Sequence, residues 1–317
     1  MTGPVLDLAD CADAPVQRIG GKALGLGKLL SLSLEVPPGF VVGTEVFSQW
    51  MHAHGLAEQV RARLHGAADV AATRAATSEI ATLMSGIPLR SAEIDAAYAR
   101  LAGGAGTRVA VRSSATGEDS RAASYAGQQE TFLWVRGAAE VRRAIVDCWA
   151  SLFSLEAVQY RRHLGIPPEQ GAMAVVVQAM VDAEAAGVMF TLDPLTGDPS
   201  QITIESTVGL GLPLVSGEVT PDRYCIDKVT FELRSQSIVG AAGSLSDAEV
   251  LALAEIGKRL ERATGSAVDI EWAVAGGDRR IYLLQARPET GRRTRAEASA
   301  GPRTAIGQAL GELCEAK

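Results

Sequence analysis

An α+β fold in two lobes, with mainly antiparallel sheets, is predicted by three observations. Strand-like stretches do not alternate with helical ones regularly enough for a doubly wound parallel sheet. Late in the chain, Asp269-Ile270-Glu271-Trp272 and Leu284-Gln285-Ala286-Arg287-Pro288 alternate apolar and polar residues around Gly276-Gly277-Asp278, which reads as a hairpin. Leu164 to Gly171 carries Pro167 and Pro168 and ends a long helical pattern. Lobes are therefore expected over 1–165 and 166–290, followed by a basic, small and polar tail over 291–317.

The chain has 317 residues, of which 47% are hydrophobic and only 5% aromatic, so aliphatic residues must fill a sizeable core. A formal net charge of -7 gives no general attraction for nucleic acid or an anionic membrane. Any polyanion must be met by local, preorganised cations. No apolar run of 18 or more residues suggests a membrane span. Met1 to Asp13 carries acids and no apolar signal core, so no secretion signal is read and a cytoplasmic location is expected. Cys11, Cys148, Cys225 and Cys314 are far apart and form no Cys-x-x-Cys pair, which fits incidental thiols better than a disulfide frame or zinc site.

Taken in order, Ile19-Gly20-Gly21-Lys22-Ala23 opens a helix. Free backbone N–H groups beside a Lys suit a phosphate, and a glycine-rich packing turn is the plainer alternative. The Walker A pattern fails, because Ala23 follows Lys22 where Ser or Thr is needed. Val36-Pro37-Pro38-Gly39 stops that helix and starts a buried strand, after which Thr44 is expected to cap a helix. Residues 57–101 read as packing helices. His52 and His54 just before them, His65 among them and His163 later are expected as surface or helix-packing residues.

Arg108 to Asp119 reads as a buried strand ending in Arg112 and a loop of hydroxyls. An Arg fork there suits phosphate oxygens, and a buried pair with Glu118 or Asp119 is the alternative. Ser124 to Val135 gives a small-residue loop entering another strand. Residues 138–162 read as one long amphipathic helix. In the apolar run 172–181, the lone amide of Gln178 needs a partner, either a nucleotide edge or a neighbouring backbone group. Strands are expected near 186–193, 202–205, 224–227 and 230–233, with a helix over 246–263.

Centring the hairpin near Asp278 puts Glu271 opposite Gln285 and Asp269 opposite Arg287. All four then share a face, with Ile270, Trp272, Leu284 and Ala286 on the other. Such a face can hold a metal and a phosphate. A surface hairpin with one Asp–Arg pair is the alternative.

Eight blocks carry a resemblance: GGKALGLGKL, VPPGFVV, VAVRSSATGEDS, SYAGQQETFL, VVVQAMV, AGVMFTLDPLTG, SGEVTPD and DIEW with LLQARPET. In this order they resemble the N-terminal ATP-binding domain of the pyruvate phosphate dikinase, phosphoenolpyruvate synthase and rifampin phosphotransferase family. The resemblance covers nearly all of the chain to Thr290. It implies a two-lobed ATP-grasp fold, ATP and Mg2+ as cofactors, and ATP between the lobes. It also implies that Lys22 and Arg112 hold phosphates, that Gly127 and Thr131 line the phosphate loop, and that Gln178 meets the nucleotide. Glu271 and Gln285 would hold magnesium, and Arg287 would stabilise the transferred phosphoryl group, with Lys22 and Arg112 sharing the catalytic role.

The family's swivelling domain, with its phospho-accepting histidine, and its substrate domain are not matched in this sequence. Thr207-Val208 stands where an aromatic is usual, and Leu212-Pro213 interrupts the following glycine loop. The expected function is therefore transfer of a phosphoryl or pyrophosphoryl group from Mg-ATP to a histidine on a separate carrier protein, with a small molecule as final acceptor. Direct phosphorylation of a small molecule, such as an antibiotic, and a non-catalytic nucleotide-binding regulator are the alternatives. Met1 reads as a natural start, with a piece of a longer enzyme as the other possibility.

Overall fold

The computed structural model describes residues 3–101, 106–115 and 130–288. The chain divides into two compact units. One holds the described residues of Met1–Leu32 and Pro37–Met180, and the other holds Ser33–Val36 and those of Val181–Lys317.

The first unit runs β1 (Val5–Asp7), a 3-10 turn (Leu8–Cys11), α1 (Val16–Ser31), β2 (Gly39–Val42), α2 (Thr44–Ala53), α3 (Leu56–His65), α4 (Val70–Ser85) and α5 (Ala92–Leu101). It continues through β3 (Val109–Ala115), β4 (Thr131–Val135), α6 (Ala138–Ser151), α7 (Leu155–His163) and β5 (Met173–Ala179). The strands form one antiparallel sheet ordered β1-β2-β5-β3-β4. Phe40, Val42, Val109, Val111, Val175 and Val177 bury one face of it against the helical layer, where Trp149 of α6 meets Phe47 of α2 edge-on at 5.6 Å. Burial of each such side chain is worth about 1.5–3 kcal/mol, so this face anchors the unit. On the other face α1 packs across β3 and β5.

Close approach of α1 to β3 requires glycine. Gly20 breaks the helix at φ +74, and a Cβ there would lie 2.1 Å from the Ser114 carbonyl oxygen. Ser114 donates its hydroxyl to the Ile19 carbonyl at 2.9 Å and accepts the Ala23 N–H at 3.2 Å.

The second unit contains β6 (Ala183–Phe190), β7 (Gln201–Val208), α8 (Leu212–Val215), β8 (Asp222–Asp227), β9 (Leu233–Ser237), α9 (Asp247–Thr264), β10 (Val268–Ala275) and β11 (Ile281–Pro288). Its sheet is antiparallel throughout, ordered β11-β10-β6-β7-β8-β9. Helix α9 covers one face, where Gly257 lets Met189 come close. The Ser33–Val36 segment joins this unit, and Leu283 donates its N–H to the Glu35 carbonyl at 2.9 Å.

The α+β class with antiparallel sheets agrees with the sequence reading, and several boundaries differ. The unit boundary falls at Met180/Val181 rather than 165/166, because β5 is a central strand of the first sheet. Leu164 to Gly171 is fastened inside that unit by the buried Arg161, whose Nε donates to the Pro168 carbonyl. The expected helix over 138–162 is two helices, since Ser154 caps a new one by accepting the Ala157 N–H. Thr44 does not cap α2. Gly43 does, and the Thr44 hydroxyl donates to the Gln17 carbonyl. The strand expected at 230–233 lies at Leu233–Ser237, because Asp227 accepts the N–H groups of Val229 and Thr230 in a turn. Among the described residues no helix is long and apolar enough to cross a membrane.

A polar clamp holds the hairpin tip to α9. Ser246 and Glu249 form a capping box, and Glu249 also receives Nε and Nη2 of Arg279 at 2.6 and 2.7 Å. Arg279 reaches Glu184 of β6 with its remaining arm, at 2.7 Å. The Arg279 guanidinium, outweighing partial burial, holds the Glu249 carboxyl down to about 2 from an ordinary 4.5.

Two outcomes follow for stability. Gly20→Ala should lower the urea-unfolding free energy by about 2 kcal/mol or more, because φ and space both exclude a side chain. Gly55→Ala, at φ +60 with nothing within 4 Å, should cost only about 1 kcal/mol. Equal losses in the two variants would remove the close approach as the cause. For Glu249, the folded pKa is depressed, so its stabilisation is complete above pH 4.5 and is lost as pH falls towards 2. Glu249→Gln should therefore cost on the order of 1–3 kcal/mol at pH 7, and the gap from the unaltered protein should close between pH 4.5 and 2. Urea titrations at both ends of that window check it.

Candidate functional site

Antiparallel partners share a sheet face, so register shows which side chains gather. In the first unit Arg112 pairs with Val176 on one side and Thr131 on the other, and Gln178 pairs with Ala110. Gln178, Arg112, Ser114 and Thr131 thus stand on one face, the face that α1 crosses. Lys22, buried at 8% exposure, lies two residues beyond the Gly20 kink at the start of the continuous part of α1. Four of the sequence-predicted residues, Lys22, Arg112, Thr131 and Gln178, from four separate elements, are brought to one side of one sheet. Gly127 lies outside the described residues, as do Glu118 and Asp119.

Two of these positions carry structural bonds. The Gln178 amide, 2% exposed, donates to the Pro37 carbonyl at 3.1 Å and holds the double-proline turn against β5. Of the two partners considered for this amide, the backbone group is the one the structure supplies. One N–H at the opening of α1, that of Ala23, is likewise spent on Ser114.

In the second unit, β10 and β11 pair Glu271 with Gln285 and Asp269 with Arg287, as the alternation predicts. The register slips by one residue just after Glu271, so Trp272 faces Leu283 and not Leu284. Leu283 is accordingly the buried leucine at 1% exposure, and the expectation for Leu284 is corrected by this bulge. Arg287 donates Nε to Asp269 Oδ2 at 2.8 Å, and its Nη2 lies at the same distance from that oxygen. Asp269 is 9% exposed, while the Arg287 side chain is 54% exposed. The acid is fixed in the sheet, and it orients a guanidinium that reaches outward.

The same row extends across the sheet. Glu271 pairs with Val188, Val188 with Glu205, and Glu205 with Arg223. Gln285, Glu271, Glu205 and Arg223 therefore share a face, around a small apolar cluster of Val188, Phe190 and Leu214. Glu205 is 1% exposed, and Arg223 bridges it at 3.8 Å to Asp193 at 3.1 Å. Burial works against the charge on Asp193, but the Thr196 N–H, the Thr203 and Thr196 hydroxyls and Arg223 hold its carboxyl below the usual range. Asp193 also accepts the N–H of Leu195 at 2.9 Å. The sequence reading did not single out Asp193 or Arg223. The Asp193-Pro194-Leu195-Thr196-Gly197 string, in which an Asp folds the chain over its own side chain, was the available signal.

Among the described residues no group of three or more His, Cys, Asp and Glu stands where it could hold a metal ion by itself. A carboxylate opposite an amide oxygen, as at Glu271 and Gln285, suits a hard cation whose remaining ligands come from phosphate and water. That donor set fits Mg2+.

A family profile described as the pyruvate phosphate dikinase AMP/ATP-binding domain matches residues 16–242 and 239–305. A probable phosphoenolpyruvate synthase of Methanothermobacter thermautotrophicus is 39% identical over 301 residues, covering 86% of this chain and 44% of that protein. A phosphoenolpyruvate synthase of Aeropyrum pernix is 36% identical over 347 residues, covering 90% and 42%. The prodigiosin synthesizing transferase PigC of Serratia marcescens is 38% identical over 310 residues, covering 90% and 33%. The chain thus spans less than half the length of these relatives. With the profile matched along most of its length, the chain belongs to the pyruvate phosphate dikinase AMP/ATP-binding domain family.

Proposed function

We propose that this chain binds Mg-ATP and passes a phosphoryl or pyrophosphoryl group to a histidine on a separate carrier protein, as the ATP-binding part of a phosphoenolpyruvate synthase-like system. The observation that carries this reading is the double pairing of Glu271 with Gln285 and Asp269 with Arg287 on one sheet face, in a chain of this family. The carrier histidine would attack the β- or γ-phosphorus through an imidazole nitrogen. The P–O bond to the leaving AMP or ADP would break with its electron pair staying on that nucleotide. Cytoplasmic ATP would be the donor, and a small molecule the final acceptor on the carrier side.

Such a transfer asks a protein chiefly for positioning and charge stabilisation. ATP brings about four negative charges to a chain that is itself at -7. A cation 4 Å from a phosphate contributes on the order of 4 kcal/mol at an effective dielectric of 20. Lys22 and Arg112 of the first unit, with the hydroxyl of Thr131 and the backbone near Gly127 and Gln178, would bind the nucleotide. Glu271 and Gln285 would hold Mg2+, which when bound neutralises phosphate charge and fixes phosphate geometry. Arg287, aimed by Asp269, would stabilise the phosphoryl group in transit.

A second reading, prompted by the likeness to a transferase named for prodigiosin synthesis, is that the acceptor is a small molecule engaged directly. Nucleotide chromatography separates the two. With the carrier route, AMP or ADP should form from ATP and Mg2+ only when a cell extract is added, together with a phosphohistidine protein. Substrate-dependent nucleotide release that leaves no protein phosphorylated would favour the small-molecule route. Release under neither condition would sink both. Within the carrier route, Arg287→Ala should slow turnover about 100-fold or more with little change in ATP affinity. Glu271→Ala should raise the Mg2+ concentration needed for half-maximal binding of ATP, and an unchanged metal dependence in calorimetric titrations would take Glu271 out of the site.

A further inference from the structure

On the helical side of the first unit, away from the face that carries Arg112, the loop between α4 and α5 and the first turns of α5 and α6 line a half-open cavity of about 660 Å³. Its lining combines apolar and cationic groups: Ile87, Leu89 and Val146 on one hand, Arg90, Arg142 and Arg143 on the other. The concentration of arginine is unusual in a chain whose net charge is -7.

The guanidiniums are not all spoken for. Arg142 gives one nitrogen to Asp95, which sits in the first turn of α5 and also lines the cavity. Its other nitrogens meet no protein acceptor among the described residues. Arg143 stands 3.8 Å from Asp147, whose other oxygen takes the Ser85 hydroxyl at 3.2 Å. Arg90 is exposed and forms no ion pair among the described residues. Two carboxylates thus orient two guanidiniums, and a third cation is left over. Ser91 accepts the Ile94 N–H and fixes the start of α5, whose first N–H groups open beside Arg90.

We propose that this cavity binds a small organic anion, with a carboxylate or phosphate on the arginines and an apolar body over Ile87 and Pro88, the apolar lining residues that are not fully buried. The volume lies within the range of small-molecule sites, about 300–1,000 Å³, and is too small for a folded partner. The planar forks of Arg90 and Arg142 suit two oxygens of one anionic group. The site is separate from the residues proposed to bind ATP. Its lining residues Arg142, Arg143 and Val146 belong to α6, whose Val141 and Ile145 pack in the same core as Val109 and Val111 of β3.

Phenyl phosphate is a suitable probe, with inorganic phosphate and phenol as single-feature controls, each followed by isothermal titration. Phenyl phosphate should bind saturably with a Kd below about 1 mM, and each control at least about tenfold more weakly. Arg90→Ser combined with Arg143→Ser should weaken it about tenfold. Ala139→Trp, placed at an exposed position on the cavity wall, should abolish it while leaving the circular dichroism spectrum and unfolding midpoint unchanged. Arg112→Ala should leave it intact. Binding that survives Ala139→Trp, or that vanishes in Arg112→Ala, would place the anion elsewhere and overturn the proposal, as would absence of saturable binding to the unaltered protein.

Discussion

Ser114 sends its hydroxyl proton to the Ile19 carbonyl and takes the Ala23 N–H, fastening both sides of the Gly20 kink onto β3. The chemistry proposed for the first unit hangs on those two bonds. Lys22 belongs to a helix and Arg112 to a strand, and the two segments are about ninety residues apart in sequence. The clip, and the missing Cβ at Gly20 that permits it, bring the beginning of one element against the end of the other. A side chain at residue 20 would have to displace backbone, since the nearest atom is the Ser114 carbonyl oxygen. The glycines at the start of α1 are thus needed first for packing, and any phosphate-binding role would follow from where that packing leaves Lys22.

The second unit reaches its arrangement by a different route. There the polar face is a direct product of strand alternation, repeated in register over five neighbouring strands from Gln285 to Arg223. Apolar residues of the opposite parity, Ile270, Trp272 and Met189 among them, are buried under α9. A slip of one residue would exchange the two faces completely. The register is pinned from outside the sheet by Arg279, which ties the hairpin tip to Glu249 at the start of α9 and to Glu184 at the start of β6. The bulge after Glu271 is absorbed between that pinned tip and the site, so the four polar residues beyond it keep their partners.

This difference explains what could be read from the sequence. Period-two alternation is local, and it gave the partners of Glu271 and Asp269 correctly. The bulge was invisible because two consecutive leucines, Leu283 and Leu284, fit either register equally well. The unit boundary was misplaced for a related reason. Pro167 and Pro168 look like a linker, but the contact that holds them comes from Arg161, and β5 lies in the sheet beside β2 and β3, both far away in sequence. The break at Ser154 was likewise hidden inside an amphipathic pattern that continues through it. The carboxylate–guanidinium link of Asp193, Arg223 and Glu205 joins the turn after β6 to β7 and β8, and no short window contains more than one of its members. Long-range pairing decided the unit boundary and the Asp193–Arg223–Glu205 link, while local side-chain caps at Ser154 and Asp227 decided the element ends that the pattern missed.

The pairing of Asp269 with Arg287 shows why an acid belongs in a site proposed to receive phosphate. Arg287 sits on β11, an edge strand, with its side chain more than half exposed. Free, such a side chain would carry about 2 kcal/mol of rotamer entropy into any contact it made. Anchoring Nε and Nη2 on one carboxylate oxygen spends that entropy on folding rather than on catalysis. Asp269 is itself held by the sheet at 9% exposure, so the guanidinium inherits the precision of the β10–β11 ladder. The cost is a negative charge one row from Glu271. In the proposed reaction that cost would be offset by Arg287 on one side and by the charge of a magnesium ion held at Glu271 and Gln285 on the other.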